Sequence, residues 1–164
     1  MGCCGAFWGT AGSLMASLGK PFYTGLFRHT LDDKDRLTIP SAWRAGHEKD
    51  ATFLAVPNPD GYVSVLPPVE VEKLSEKIAS VPLSDASAQA EIAAFFAVAQ
   101  TFSFDSQGRI ALNEALRRHA GLEKEVVLNG SFTKFNLYSP QRWALVEQKS
   151  SPASQADFLR RFSI

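Results

Sequence analysis

Cysteine is nearly absent from these 164 residues: the two present, Cys3 and Cys4, are adjacent and close to the N-terminal end. Neighbouring cysteines give neither a disulfide framework nor spaced metal ligands, and a reducing compartment suits them. Histidine is scarce too. His29, His47 and His119 stand apart, with no H-x-x-H or C-x-x-C partner, so no metal is expected. An excess charge of either sign is missing, since 17 Lys and Arg balance 17 Asp and Glu. That balance argues against a chain that is basic all over. It leaves room for cations gathered on one face or by assembly. The chain also lacks a glycine-rich phosphate loop and a nucleophile with a neighbouring base, so no catalytic residue and no cofactor are expected.

Residues 1–20 are mostly small and apolar and carry no charged side chain before Lys20. A secretory signal would open with a positive segment. A membrane-spanning helix would hold less glycine, and a myristoylation site would have Ser or Thr in place of Ala6. The stretch reads as a disordered extension, with Met15 an alternative start. No membrane partner and no small-molecule substrate are expected.

What the chain does contain is one statement made twice. Leu31-Asp32-Asp33-Lys34-Asp35-Arg36-Leu37-Thr38-Ile39 returns 73 residues later as Phe104-Asp105-Ser106-Gln107-Gly108-Arg109-Ile110-Ala111-Leu112. The same spacing, taken without a gap, sets Ala42-Trp43-Arg44 on Ala115-Leu116-Arg117, Phe53-Leu54 on Val126-Val127, and Pro67 on Pro140. Two copies are too few for a solenoid, which takes about three or more. They suit one pseudo-symmetric domain in which each half covers the other's apolar face.

Residues 22–31 are aromatic, apolar and β-friendly, and residues 36–39 resume extended alternation after a polar turn at 32–35. Residues 40–46 open with proline and close on glycine, as a short helix does. Residues 51–56 and 62–66 form a hairpin about Pro57-Asn58-Pro59-Asp60-Gly61. Pro67-Pro68 then opens an amphipathic helix with Val71, Leu74 and Ile78 on one face. Ser84 is placed to cap a helix carrying Ile92, Phe95, Phe96 and Ala99. Copy two repeats the order over 101–148, with Gly121 ending its short helix and Gly130 serving the hairpin turn. Residues 150–164 read either as a short docking helix bearing Phe158, Leu159 and Phe162 or as a loose end. The organisation is therefore an extension at 1–20, a first repeat at 21–82, a linker helix with the second repeat at 83–149, and a tail at 150–164. The fold class is α+β, mainly β. Strands this short do not form a stable sheet alone, so two tandem ββαββα repeats are expected to interleave into one small barrel with flanking helices.

A carboxylate and a guanidinium on either side of a three-residue turn pair readily, Asp accepting from Arg and from backbone N–H groups. On the bland reading, Asp32–Arg36 and Asp105–Arg109 are exposed turn ion pairs, worth about 0.2–1 kcal/mol each. On the functional reading, each aspartate orients an arginine at a strand edge, where its planar fork suits a phosphate or a guanine edge. Gly108 reaches φ > 0 freely, whereas Asp35 in copy one does so at a cost, so Arg109 is expected to be the better placed of the two arginines.

Gly25-Leu26-Phe27-Arg28-His29-Thr30-Leu31-Asp32-x-Lys34-x-Arg36-Leu37-Thr38-Ile39-Pro40 resembles the opening signature of the MraZ family of bacterial transcriptional regulators. A second signature is matched by Phe104-Asp105-x-x-Gly108-Arg109-Ile110, with Leu116-Arg117-x-x-Ala120-Gly121-Leu122 and Lys124-Glu125-Val126-Val127-Leu128-x-Gly130. The resemblance spans about residues 22–148. It implies a swapped-hairpin barrel of the AbrB and MazE type, assembled into a ring that binds direct DNA repeats upstream of a division and cell-wall gene cluster. It further implies DNA contacts through Arg36 and Arg109, with Lys34 as a phosphate contact and Asp32 and Asp105 as orienting groups. Arg28, Arg117 and Arg118 are candidate further phosphate contacts. A cytoplasmic, nucleoid-associated homo-oligomer follows. The match departs at Thr24, where the family has arginine, and at Leu112-Asn113 in place of a second Ile-Pro. It departs again at Asp35, which replaces a glycine and adds negative charge where DNA would approach.

The remaining candidates have plainer readings beside the functional ones. His29 reads as a structural or surface residue beside a turn. Phe95-Phe96 reads as core or subunit interface rather than a ligand pocket. Arg117-Arg118-His119 complements a helix C-terminus as well as it would a phosphate. The reading is a double-stranded-DNA-binding transcriptional regulator, not an enzyme. The second reading is an oligomeric protein-interaction module with weakened or lost DNA binding.

Overall fold

The computed structural model describes residues 21–164. Four strands come from each repeat, and they cross over. From the first come β1 (Leu26–Thr30), β2 (Arg36–Thr38), β3 (Phe53–Asn58) and β4 (Tyr62–Leu66), and from the second β5 (Gln100–Phe102), β6 (Arg109–Ala111), β7 (Glu125–Gly130) and β8 (Phe135–Tyr138). A six-stranded sheet runs β1-β7-β8-β4-β3-β5, and β2 pairs with β6 in a separate two-stranded ribbon. Each hairpin thus receives its outer strand from the other repeat: β1 lies on β7, and β5 lies on β3. These two pairings have matching registers, Arg28 opposite Val127 and Thr101 opposite Leu54. The interleaved, mainly antiparallel α+β fold is the one the repeat requires, because neither half alone offers its hairpin an outer strand.

The pseudo-twofold axis can be located from register. In the ribbon Leu37 faces Ile110, its own counterpart 73 residues on. In the large sheet Ser64 faces Asn136, only 72 residues on. The gapless spacing therefore fails within the second hairpin. Three residues, Pro59-Asp60-Gly61, separate Asn58 from Tyr62 at the first tip. At the second, Ser131 donates its N–H to the Lys134 carbonyl at 2.9 Å with only Phe132 and Thr133 between them. Beyond that tip the correct equivalences are Val63 with Phe135, Val65 with Leu137 and Pro68 with Pro140, and each of the two strand pairs is fully buried. Register decides this because a one-residue slip would turn those side chains out of the core.

Core packing centres on Trp43, 2% exposed. Its ring meets Tyr23, Phe27 and Phe135, and its Nε1 donates to the Thr24 carbonyl at 3.0 Å. Gly130 has a different role from the one expected. It does not turn the chain; a Cβ there would lie 2.6 Å from the Thr24 backbone nitrogen, so glycine admits the entering strand. The tip residue with positive φ is Phe132, at 65°, held by reciprocal backbone hydrogen bonds to Tyr23 and by stacking on Phe22.

Six helices are described: α1 (Ser41–Arg44), α2 (Pro68–Ala79), α3 (Ala86–Phe96), α4 (Glu114–Ala120), α5 (Pro140–Lys149) and α6 (Pro152–Arg161). Asp85 rather than Ser84 caps α3, its carboxylate accepting from the Ala88 N–H at 3.0 Å. Gly121 closes α4 in the left-handed conformation, as its place predicted. The tail forms α6 with a Ser151–Ser154 capping box. Helices α2, α3, α5 and α6 contain no fully buried residue. Phe95, Leu145, Val146, Phe158 and Leu159 stand exposed on three of them and Phe162 just beyond α6, so Phe95 is not part of the core. The expected extension at 1–20 and the Met15 start lie outside the described residues.

Candidate nucleic-acid interface

The site grows from alternation in a three-residue strand. Leu37 and Ile110, 0% and 2% exposed, point into the core. Their neighbours therefore point outward, and the pairing of Arg36 with Ala111 and of Thr38 with Arg109 puts all four on the ribbon's outer face. Arg36 and Arg109 thus occupy diagonal corners of one small surface. Thr38 and Ala111 fill the other corners. They were missed as site residues, although alternation from Arg36 would have found Thr38.

Each arginine is held by the turn before it, and the two turns match bond for bond. Asp32 Oδ1 accepts the backbone N–H groups of Lys34 and Arg36, both at 2.9 Å, while Oδ2 accepts Arg36 Nε at 2.7 Å. Asp105 Oδ1 accepts from the N–H groups of Gln107 and Arg109 at 2.9 and 2.8 Å, and Oδ2 from Arg109 Nε at 2.8 Å. The carboxylate thereby occupies Nε of each arginine, and on Arg36 it leaves the terminal nitrogens for a ligand. Both aspartates have pKa values held below the ordinary carboxylate range. The backbone N–H of the following arginine is the main cause, with burial opposing it and the other N–H groups and guanidinium adding to it.

Asp35 enters the left-handed region at φ 56° and Gly108 at 72°. The turn geometry is consequently the same in both copies, and the expected advantage of Arg109 over Arg36 is absent. The aspartate's carboxylate also has a partner. Asp35 Oδ2 lies 3.1 Å from Arg117 of the other repeat. A second link across the repeats joins Arg109 to Asp32 at 3.7 Å, so Arg109 touches two carboxylates.

The other candidate cations are dispersed. Lys34 is exposed on the first turn, and Arg28 is exposed on β1. Arg117 is 25% exposed and bound to Asp35, while Arg118 pairs with Glu114 at 2.6 Å along α4. Arg44 was not among the expected site residues. It donates Nε to the Ile39 carbonyl at 3.0 Å and lies against Gly108, where an added Cβ would stand 2.3 Å from the guanidinium carbon. The repeat pointed to it, since Arg44 is the counterpart of Arg117.

Comparison with known proteins identifies the group to which this arrangement belongs. Residues 95–163 match the family model described as "MraZ protein, putative antitoxin-like". The chain is 34% identical to the transcriptional regulator MraZ of Heliobacterium modesticaldum over 131 residues, 80% of this chain and 90% of the relative. The chain belongs to the MraZ family. The transcriptional regulators MraZ of Halothermothrix orenii and Thermomicrobium roseum are 36% and 35% identical to it. Those alignments cover 74% of this chain and 83% and 84% of the two relatives, respectively. Among the described residues of this MraZ-family chain, no helix is long and apolar enough to cross a membrane.

Proposed function

We propose that this chain is a sequence-specific, double-stranded-DNA-binding transcriptional regulator that reads DNA with the β2–β6 ribbon. The carrying observation is the pair of aspartate-braced arginines on one outward face. A two-stranded ribbon has dimensions that a major groove admits, and arginine pairs bidentately with the guanine edge. Arg36 and Arg109 are the base- or phosphate-reading residues, Lys34 contacts phosphate, and Asp32 and Asp105 orient the guanidinium groups. Arg28, exposed on β1, and Arg118, on α4, are secondary phosphate contacts; Arg117, which holds Asp35 at 3.1 Å, becomes one only when that carboxylate releases it.

The chain acts as a homo-oligomer, a ring binding direct repeats upstream of a division and cell-wall gene cluster. It works in the cytoplasm at the nucleoid. Two features support assembly: the apolar residues left open on α3, α5 and α6, and a zero net charge, which makes one subunit a weak ligand for a polyanion. Several subunits on repeated boxes gain about 10²–10⁴-fold from effective concentration. Gel mobility of DNA from upstream of its own gene tests the function. Retardation that falls with salt and disappears in Arg36→Ala/Arg109→Ala supports it. Unchanged binding by that double variant removes the ribbon. Assembly without any DNA retardation establishes the second reading, an interaction module.

A further inference from the structure

The two repeats carry the same arginine in the short helix after the ribbon, Arg44 in α1 and Arg117 in α4. Both are anchored alike. Arg44 Nε donates to the Ile39 carbonyl at 3.0 Å, and Arg117 Nε to the Leu112 carbonyl at 3.2 Å. Each then extends its terminal nitrogens toward the reading turn of the opposite repeat. There the symmetry ends. Arg117 meets the Asp35 carboxylate at 3.1 Å. Arg44 meets Gly108, which has no side chain, and among the described residues it has no carboxylate within 4.0 Å. Gly108 gives space as well as conformation, because a Cβ there would collide with Arg44.

Resting on the DNA-binding reading above, we propose that Asp35 silences Arg117 and leaves Arg44 as the one phosphate contact of this pair, so that the pseudo-symmetric face binds the duplex backbone unevenly. Arg117 has Nε on the Leu112 carbonyl and Nη1 on Asp35, so it keeps fewer donors for a phosphate than Arg36, whose carboxylate takes Nε alone. A phosphate must also approach the Asp35 carboxylate, which repels it. At the Gly108 turn the terminal nitrogens of Arg44 hold no carboxylate within 4.0 Å among the described residues, and the nearby Asp105 is already paired with Arg109 at 2.8 Å. Arg44 borders a hollow whose lining sets the cation Lys49 beside the carboxylates of Glu48 and Asp105, with Gly108 at its edge. With Nε held by the Ile39 carbonyl, its terminal nitrogens remain for a strand lying across the second turn.

The test is fluorescence anisotropy of the full chain with a labelled random-sequence duplex, titrated at several salt concentrations. Random sequence suffices because a phosphate contact contributes alike to all sequences. Asp35→Gly frees Arg117 and should tighten binding roughly tenfold, the scale of one charge-assisted contact. It should also steepen the dependence of log K on log salt by about 0.9, the increment for one phosphate. Adding Arg117→Ala to that variant should erase both gains, whereas Arg117→Ala alone should change little. Arg44→Ala should weaken binding in the parent chain and lower the salt slope. Gly108→Asp, checked for folding by circular dichroism, should do the same by supplying Arg44 with a carboxylate. If it does not fold, the Asp35 variants decide. A gain from Asp35→Gly that persists without Arg117, or no gain at all, overturns the proposal. Loss of binding in Arg36→Ala/Arg109→Ala reports on the ribbon independently, so the two ideas fail separately.

Discussion

The turn at Asp32–Arg36 and the turn at Asp105–Arg109 share every internal hydrogen bond, yet their surroundings differ. In the first, the left-handed residue is an aspartate that reaches across the molecule to Arg117. In the second it is a glycine, overlaid by Arg44. Local geometry is thus dictated by the Asp-x-x-x-Arg spacing and tolerates either residue. What each turn can offer a ligand depends on what the opposite repeat brings to it.

The most severe way to challenge the equivalence of the two turns is to remove their arginines. Arg36→Ala and Arg109→Ala should each cost about 1–3 kcal/mol of operator binding, and together about 2–6 kcal/mol. A much smaller loss for Arg36 than for Arg109 would break the equivalence. Band-shift titration measures it.

Next come the helices behind the turns. Trp43→Ala should destabilise the chain by about 3–5 kcal/mol and Leu116→Ala, its counterpart, by about 2–5 kcal/mol. The first repeat should suffer more, because α1 has four residues and no side-chain cap, whereas α4 has seven, capped by Asn113 and closed by Gly121. Urea denaturation midpoints compare the two.

A smaller effect separates the turn residues themselves. Gly108→Ala should cost about 1–2 kcal/mol from a left-handed Cβ, together with displacement of Arg44. Asp35→Gly should change stability by less than about 1 kcal/mol, since relief of the same strain offsets a partly exposed ion pair. Thermal melts of both variants test this.

The smallest effect is in pH. His47, hydrogen-bonded to the Tyr23 hydroxyl at 2.6 Å, has its pKa lowered by burial. Below its ordinary value of 6.5 the unfolded chain takes up that proton first, so stability should fall as pH drops from about 7 toward 5. His47→Gln should flatten that window. The depressed aspartates act at lower pH. Their contribution is complete above the ordinary carboxylate pKa of about 4 and is lost as pH falls through their folded values. Melting temperatures across pH 3–8 show both.

Much of this was legible in the residues. The hairpins, both Asp-x-x-x-Arg turns and the left-handed demand at Asp35 and Gly108 are local consequences of pattern and turn chemistry. The interleaving followed from strands too short to stand alone. What escaped was non-local or came down to one residue. The shortened second tip shifts every later equivalence by one, and strand registers such as Ser64–Asn136 expose it. Gly130 resembles a turn glycine until the Thr24 backbone is seen against it. Asp35 reads as an isolated charge because its partner, Arg117, lies 82 positions away in a different repeat.

The exchange of outer strands also dictates an order of events during synthesis. When β1 leaves the ribosome, its partner β7, ending at Gly130, has not yet been made. The first half must wait with an unpaired edge while most of the chain is translated. A nascent chain that meets another during that interval presents it with the same open edge, so the speed of elongation helps decide whether the sheet closes within one molecule or between two.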